Sequence, residues 1–161
     1  MQIDIVPYRP DHAAAWVALN EHWILAGGYA LEAKDRLVLD DPEGAVLSKG
    51  GAIFMAERDP GLRRGEWQAV GCCSLMVMPD GGREVGKMAV APDAQGLGLG
   101  RKLLDACEAH ARSVGAPRLY LETNVAQAHA IALYRRFGFM DLPPQPTPYV
   151  RCNVWMEKRL S

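Results

Sequence analysis

Three glycines alternate with leucines in the run Gln95-Gly96-Leu97-Gly98-Leu99-Gly100-Arg101-Lys102. The run lies between an apolar strand pattern and an amphipathic helix pattern. Glycine at alternate positions removes side chains, so backbone N–H groups can come close to a ligand. The helix that begins here turns the positive end of its dipole toward the same spot. A phosphate or pyrophosphate is the natural occupant. Arg101 and Lys102 strengthen this reading. Cations in a first helical turn oppose the dipole, where Asp or Glu would stabilise it; two of them suit a bound anion. The plain alternative is a tight strand-to-helix turn with no ligand. Two familiar phosphate loops are excluded. A Rossmann fingerprint would need glycine where Arg101 stands, and a P-loop would need Lys-Ser/Thr after Gly100.

The pattern around this turn predicts an alternation of strands and helices. Gln2 to Tyr8 alternates as a strand. Asp11 is placed to cap a helix from His12 to Leu25, with Trp16, Leu19, Trp23 and Ala26 at helical spacing and Gly27 and Gly28 at its end. A second, weaker helix spans Glu32 to Leu39. Strands follow at Ala52 to Glu57, Trp67 to Met78 and Arg83 to Ala91, the first two joined by a polar turn over Arg58 to Gly65. After the glycine turn comes a helix whose stripe is Leu103, Leu104, Cys107, Ala111 and Val114, closed by Gly115. Arg118 to Thr123 reads as a strand and Ala126 to Phe137 as a helix ending at Gly138. Met140 begins a short strand, four prolines between 143 and 148 force a loop, and Val150 to Lys158 reads as a last strand. Strands that run together and then alternate with helices imply an α/β fold with a central mixed sheet and helices on both faces.

The chain has 161 residues, enough for one domain. Its 18 basic and 19 acidic residues give a net charge of −1, so nothing asks for nucleic acid or an anionic membrane. The N-terminus has no signal-peptide pattern, and the apolar stretches are too short to span a bilayer. Cys72, Cys73, Cys107 and Cys152 include no CxxC pair and read as reduced thiols of a cytoplasmic protein.

Two linked motifs resemble a known family. Gln95-x-x-Gly98-x-Gly100, preceded by Met88-Ala89-Val90-x-Pro92, is similar to the acetyl-CoA loop of the GCN5-related N-acetyltransferases (GNAT). Downstream, Ala130-Ile131-x-Leu133-Tyr134-x-x-x-Gly138-Phe139 resembles that family's second signature. The resemblance covers Ala52 to the C-terminus; residues 1–51 match only in element order. It implies a GNAT-like acyl-CoA N-acyltransferase fold, acetyl-CoA as cosubstrate, no metal, and direct transfer of acetyl to a primary amine in a ternary complex. Pantetheine would lie where strand Glu84 to Val90 splays from Leu119 to Asn124, pairing with the backbone of Met88, Ala89 and Val90. An N–H near Ala89 or Val90 would hold the thioester oxygen. Gln95, Gly96, Leu97, Gly98, Leu99, Gly100, Arg101 and Lys102 would cradle the pyrophosphate. Relatives often carry Asn where this chain has Gln127, and Asn124 is placed to supply the missing contact.

An alkylamine with a pKa near ~10.4 is mostly protonated at neutral pH, so the reaction needs a base or a proton path. Glu84 is the leading candidate; the alternative is a solvated strand end beside Arg83. Tyr134 matches the family's proton donor to the leaving thiolate; the alternative is a core residue on the stripe Ile131, Tyr134, Phe137. The acceptor is a small molecule or a protein or peptide amine, facing Trp23 to Leu39 and Leu142 to Arg151, where Tyr29, Glu32, Tyr149 and Arg151 stand. A homodimer is compatible with the family. The rival function is a non-catalytic acyl-CoA-binding sensor or regulatory module. Cys107 and His110 are too few for a metal site, and His12, His22 and His129 read as surface or cap residues.

Overall fold

The computed structural model describes residues 2–59 and 67–161. The predicted turn at Arg58 to Gly65 falls mostly outside them. Among the described residues seven strands form one sheet: β1 (Gln2–Pro7), β2 (Ala52–Asp59), β3 (Gln68–Val77), β4 (Arg83–Val90), β5 (Arg118–Thr123), β6 (Met140–Leu142) and β7 (Val154–Arg159). Their spatial order is β1-β2-β3-β4-β5-β7-β6. Every neighbouring pair is antiparallel except β4–β5. A parallel pair needs a long crossover. Here it is the helix α4 (Leu99–Ser113), so the glycine turn sits where β4 hands the chain to α4.

Helices α1 (Ala13–Ala26), α2 (Ala33–Asp40) and the single-turn α3 (Pro42–Ala45) precede the central strands, and α5 (Ala128–Phe137) follows β5. Because strand side chains alternate, β3 builds two cores. Cys72 packs with Trp16, Val38 and Leu39 on the α1–α2 face. Its neighbour Cys73 packs with Leu103, Leu104, Cys107 and Phe137 on the α4–α5 face. Adjacent cysteines therefore belong to opposite cores, as their positions in a strand predict. The sulfurs of Cys73 and Cys107 approach to 3.7 Å as free thiols.

Several expectations need correction. Val114 is exposed and lies beyond α4, which ends at Ser113. The buried stripe of α1 is Trp16, Asn20 and Ile24, and Trp23 is only partly buried. Asp11 does not cap α1; its cap position is His12, whose ring is buried. His12 Nδ1 accepts from the Arg9 N–H at 2.8 Å, while Nε2 lies 2.6 Å from the buried Glu57 carboxylate. That places the ring's own proton on Nε2. The last strand begins at Val154 rather than Val150, because the chain at 149–152 turns inward to deliver Arg151 to acidic partners on and before α2.

Candidate active site

The parallel pair β4–β5 is registered at Arg83↔Leu119, Glu84↔Tyr120 and Val85↔Leu121, and pairs no further. The cause lies on the other edge of β4. Opposite β3, Cys72 meets Ala89 and Ser74 meets Gly86, so Lys87 and Met88 face Cys73 alone. The extra residue makes a bulge that bends the strand. Lys87 takes φ 50°, the single positive value at a non-glycine among the described residues. Such a conformation costs about 1–3 kcal/mol and persists only when its surroundings fix it. Lys87 Nζ is fixed 2.7 Å from the fully buried Asp35 of α2. Beyond Val85 the β5-facing edge of β4 is thus left without a strand partner, at Met88, Ala89 and Val90.

The glycine turn opens onto the C-terminal end of β4. Gly96 and Gly98 have φ +82° and +75°, and a Cβ at either would meet nothing within 4 Å. Gly98 is the cap position of α4, so no side chain covers the first-turn N–H groups. Gln95 folds back to donate to the Val90 carbonyl at 3.3 Å. Arg101 lies over the Phe137 ring at 4.8 Å beside Asp105. Leu97 and Lys102 are exposed. The Leu99 side chain is buried against Val70 and Ala94, so only its backbone can face a ligand. Gly100 is pressed by α5, where a Cβ would come within 2.8 Å of Leu133. An uncapped helix start, open space at two glycines and a free strand edge fit the pyrophosphate and pantetheine of acetyl-CoA.

A cavity of about 90 Å³ lies on the α1–α2 face of the β4–β5 opening. Glu84 and Glu122 from neighbouring strands line it, with Asn124 and Gln127 at one side and Trp23, Tyr29 and Tyr149 among its walls. Burial pushes the Glu84 carboxyl up to about 7; the Glu122 charge adds to this and Lys87 opposes it. Glu122 accepts from the Tyr120 hydroxyl at 2.8 Å and the Thr147 hydroxyl at 2.6 Å. Asn124 is engaged with the chain itself, donating to the Arg151 carbonyl at 2.6 Å and accepting from the Ala126 N–H at 2.9 Å.

Tyr134 does not line this cavity. It is buried under the opposite face, in the core that includes Val85 and Leu121, the last paired residues of β4 and β5. Burial, with Cys73 and Cys107 nearby, raises its hydroxyl pKa well above the usual phenol range. Glu84 and Tyr134 therefore flank the opening from its two sides rather than sharing one pocket.

Over this cavity a buried cluster ties three parts of the chain together. Asp35 accepts from Lys87 Nζ at 2.7 Å, from Arg151 at 2.7 and 2.9 Å, and from the Glu32 N–H at 2.8 Å. Burial alone would raise the Asp35 carboxyl. Arg151, Lys87 and the Glu32 N–H outweigh it and hold the group far below the ordinary carboxylate range.

The family model described as "Acetyltransferase (GNAT) family" matches residues 12–139. The chain belongs to the GNAT acetyltransferases, which use acetyl-CoA. It is 44 % identical over 120 residues to an IAA acetyltransferase of Azospirillum brasilense, covering 71 % of this chain and 72 % of that one. A mycothiol acetyltransferase of Cellulomonas flavigena is 40 % identical over 104 residues, 62 % of this chain but only 27 % of that longer protein. A GNAT-family structure from Staphylococcus aureus superposes with a TM-score of 0.87 at 20 % identity, over 99 % of this chain and 100 % of that one. An acetyltransferase-type structure from Salmonella typhimurium, solved with acetyl-CoA, gives 0.76 at 21 % identity, over 100 % and 95 %.

Within this GNAT site, reasoning on residue patterns named Glu84, Tyr29, Tyr149 and Arg151 but missed Asp35, Lys87 and Glu122. Asp35 sits in the first turn of α2, at its third residue, where an acid reads as a helix-start residue. Lys87 interrupts the otherwise uncharged stretch 85–90 of β4, which was its signal. Glu122 lies two residues from Tyr120 on one strand face, and only the β4 register brings it beside Glu84.

Proposed function

We propose that this chain is a single-domain N-acetyltransferase that moves acetyl from acetyl-CoA to a primary amine by direct attack in a ternary complex. The observation that carries the reading is the opening beyond Val85 and Leu121, flanked by Glu84 on one face and Tyr134 on the other. When bound, acetyl-CoA supplies the acetyl group as a thioester and departs as the thiol. The first-turn N–H groups at Gly98 to Arg101 hold the pyrophosphate, with Arg101 and Lys102 adding charge. The free edge at Met88 to Val90 pairs with the pantetheine arm, and an N–H at Ala89 or Val90 meets the thioester oxygen where charge develops. Glu84, pushed up to about 7, is part ionised at neutral pH and takes the proton from the acceptor ammonium. Tyr134 gives its hydroxyl proton to the departing sulfur and is restored by the second proton that the acylated nitrogen loses.

Four free cysteines, two of them with sulfurs 3.7 Å apart, support a reducing, cytoplasmic setting. Among the described residues no helix is long and apolar enough to cross a membrane. A carboxylic acid tuned toward neutrality beside the acyl site favours turnover over the rival of a non-catalytic acyl-CoA sensor. The test is Glu84→Gln assayed by thiol release with calorimetric CoA titration. Loss of turnover with unchanged CoA affinity supports the reading, and wild-type turnover removes Glu84 from it.

A further inference from the structure

The charges around the cavity are not balanced evenly. Its two cations are both spent. Lys87 and Arg151 share Asp35, and Arg151 also reaches Glu32 at 3.1 Å. Two cations and two carboxylates leave that wall neutral. The Arg151 guanidinium is further covered by the Tyr149 ring at 4.6 Å and the Trp23 ring at 5.5 Å. The acidic side of the cavity has no such compensation. Glu122 accepts from two neutral hydroxyls, Tyr120 and Thr147, and from no cation among the described residues. No hydrogen-bond or ion-pair partner within the protein is found for Glu84 among the described residues. The uncompensated charge of the cavity is therefore negative, and it lies beside the β4–β5 opening where acetyl must be passed.

The remaining walls are apolar or aromatic. Val38, Met76, Trp23, Tyr29 and Tyr149 supply them. Tyr29 is folded back tightly: a Cβ on Gly27 would fall within 2.8 Å of its ring. The cavity, of about 90 Å³, has room for a small apolar body beside the amine.

We propose that the acceptor is a small primary amine carried on an apolar body, with no carboxylate beside its amine. This rests on the acetyltransferase reading and narrows it. The ammonium docks between Glu122 and Glu84. Glu84 takes one proton from the ammonium, and the neutral amine nitrogen attacks to form the new C–N bond. The C–S bond breaks as the sulfur takes the Tyr134 proton, and the second proton leaving nitrogen restores Tyr134, while Glu122 stays beside the site as an acid with no cation partner among the described residues. A carboxylate one carbon from that amine would be forced against the same two acids, while both cations that could greet it are already paired.

The experiment compares phenethylamine, phenylalaninamide and phenylalanine as acceptors, with isoamylamine, leucinamide and leucine as the aliphatic set. Rates come from thiol release and are normalised to the concentration of neutral amine. The amides keep the bulk of the amino acids but not the charge. Amine and amide should exceed the free amino acid at least tenfold in kcat/KM in each set. Glu122→Gln should shrink that ratio, mainly by raising KM for the amines. Equal or better turnover of phenylalanine or leucine would overturn the proposal, meaning Arg151 or Lys87 receives the carboxylate. Acetyl-CoA binding without turnover of any member, while a peptide amine is acetylated, would overturn this inference alone; no thiol release with an amine of either kind would bring down the acetyl-transfer reading as well. Turnover led by free amino acids brings down this inference alone.

Discussion

Glu84, Tyr134 and Asp35 each pair a chemical role with a measurable stability or rate. Glu84 has an ordinary value of 4.5 that the fold raises to about 7. Between those values the folded chain keeps a proton that the unfolded chain has lost, so stability falls as pH rises through that window and is flat above it. The full swing is at most about 3 kcal/mol, and Glu84→Gln should flatten it in urea unfolding followed against pH. If Glu84 is the base, kcat/KM should rise with pH to a break near 7, and the mutant should lose that break. Tyr134 stays protonated across the working range because its pKa is raised. It should contribute no acid or alkaline limb. Tyr134→Phe should lower kcat by about 10² or more with little change in CoA affinity; near wild-type kcat would return the residue to the core. Asp35→Asn removes the countercharge of two mostly buried cations, a change that costs about 3–5 kcal/mol when one partner of a buried pair is lost. In a chain of this size that lowers Tm by about 10 °C. Thermal unfolding reads this directly, and a shift of only a degree or two would mean the cluster is not a structural tie.

At the scale of elements, the β4 bulge and the start of α4 do the positioning. The bulge at Lys87 ends the pairing with β5, and the same strand ends three residues later at Val90 and leads through the turn Pro92–Ala94 to the glycine turn. The two glycines at positive φ differ from Gly100 in a way that matters for experiment. Space is open at Gly98, whereas Gly100 is packed against Leu133. Gly98→Asn should therefore fold, since Asn tolerates the left-handed region, and Gly98→Glu should block the anion site. Calorimetry should show CoA binding weakened in Asn and abolished in Glu, with circular dichroism unchanged in the first. Gly100→Glu would also disturb the α4–α5 contact, so its loss of binding would be harder to assign. Changing Arg101 and Lys102 together to Gln should weaken CoA binding and reduce its salt dependence.

For the whole molecule, the sheet is two antiparallel blocks, β1–β4 and β5–β7, joined by three parallel residue pairs and by helices. A ligand that pairs with the free edge of β4 and touches β5 bridges the blocks. Hydrogen exchange with and without CoA should therefore slow at 86–90 and at 96–102 far more than in β1 or β6. Uniform slowing across the sheet would point to general stabilisation by mass action instead. The Asp35 cluster makes a second bridge, from α2 to the β4 bulge and to the segment before β7.

The amino-acid pattern was sufficient for the order of the main elements, the glycine turn and the amphipathic α4 and α5, because periodicity and glycine placement are local properties. It also carried the two faces of Cys72 and Cys73, since strand alternation is local too. What it could not carry was pairing between distant residues. His12 with Glu57, Asp35 with Lys87 and Arg151, and Glu84 beside Glu122 are joined across 45, 52, 116 and 38 positions. No spacing rule connects such residues. The late start of β7 was missed for the same reason, since Arg151 is drawn out of it by a helix more than a hundred residues away, whereas the single-turn α3 rests on a local signal, Asp41 accepting from the Gly44 N–H at 3.0 Å. Local chemistry wrote the glycine turn proposed to cradle acetyl-CoA, while the charge balance of the cavity beside Glu84 exists only after the sheet has brought its acids and cations together.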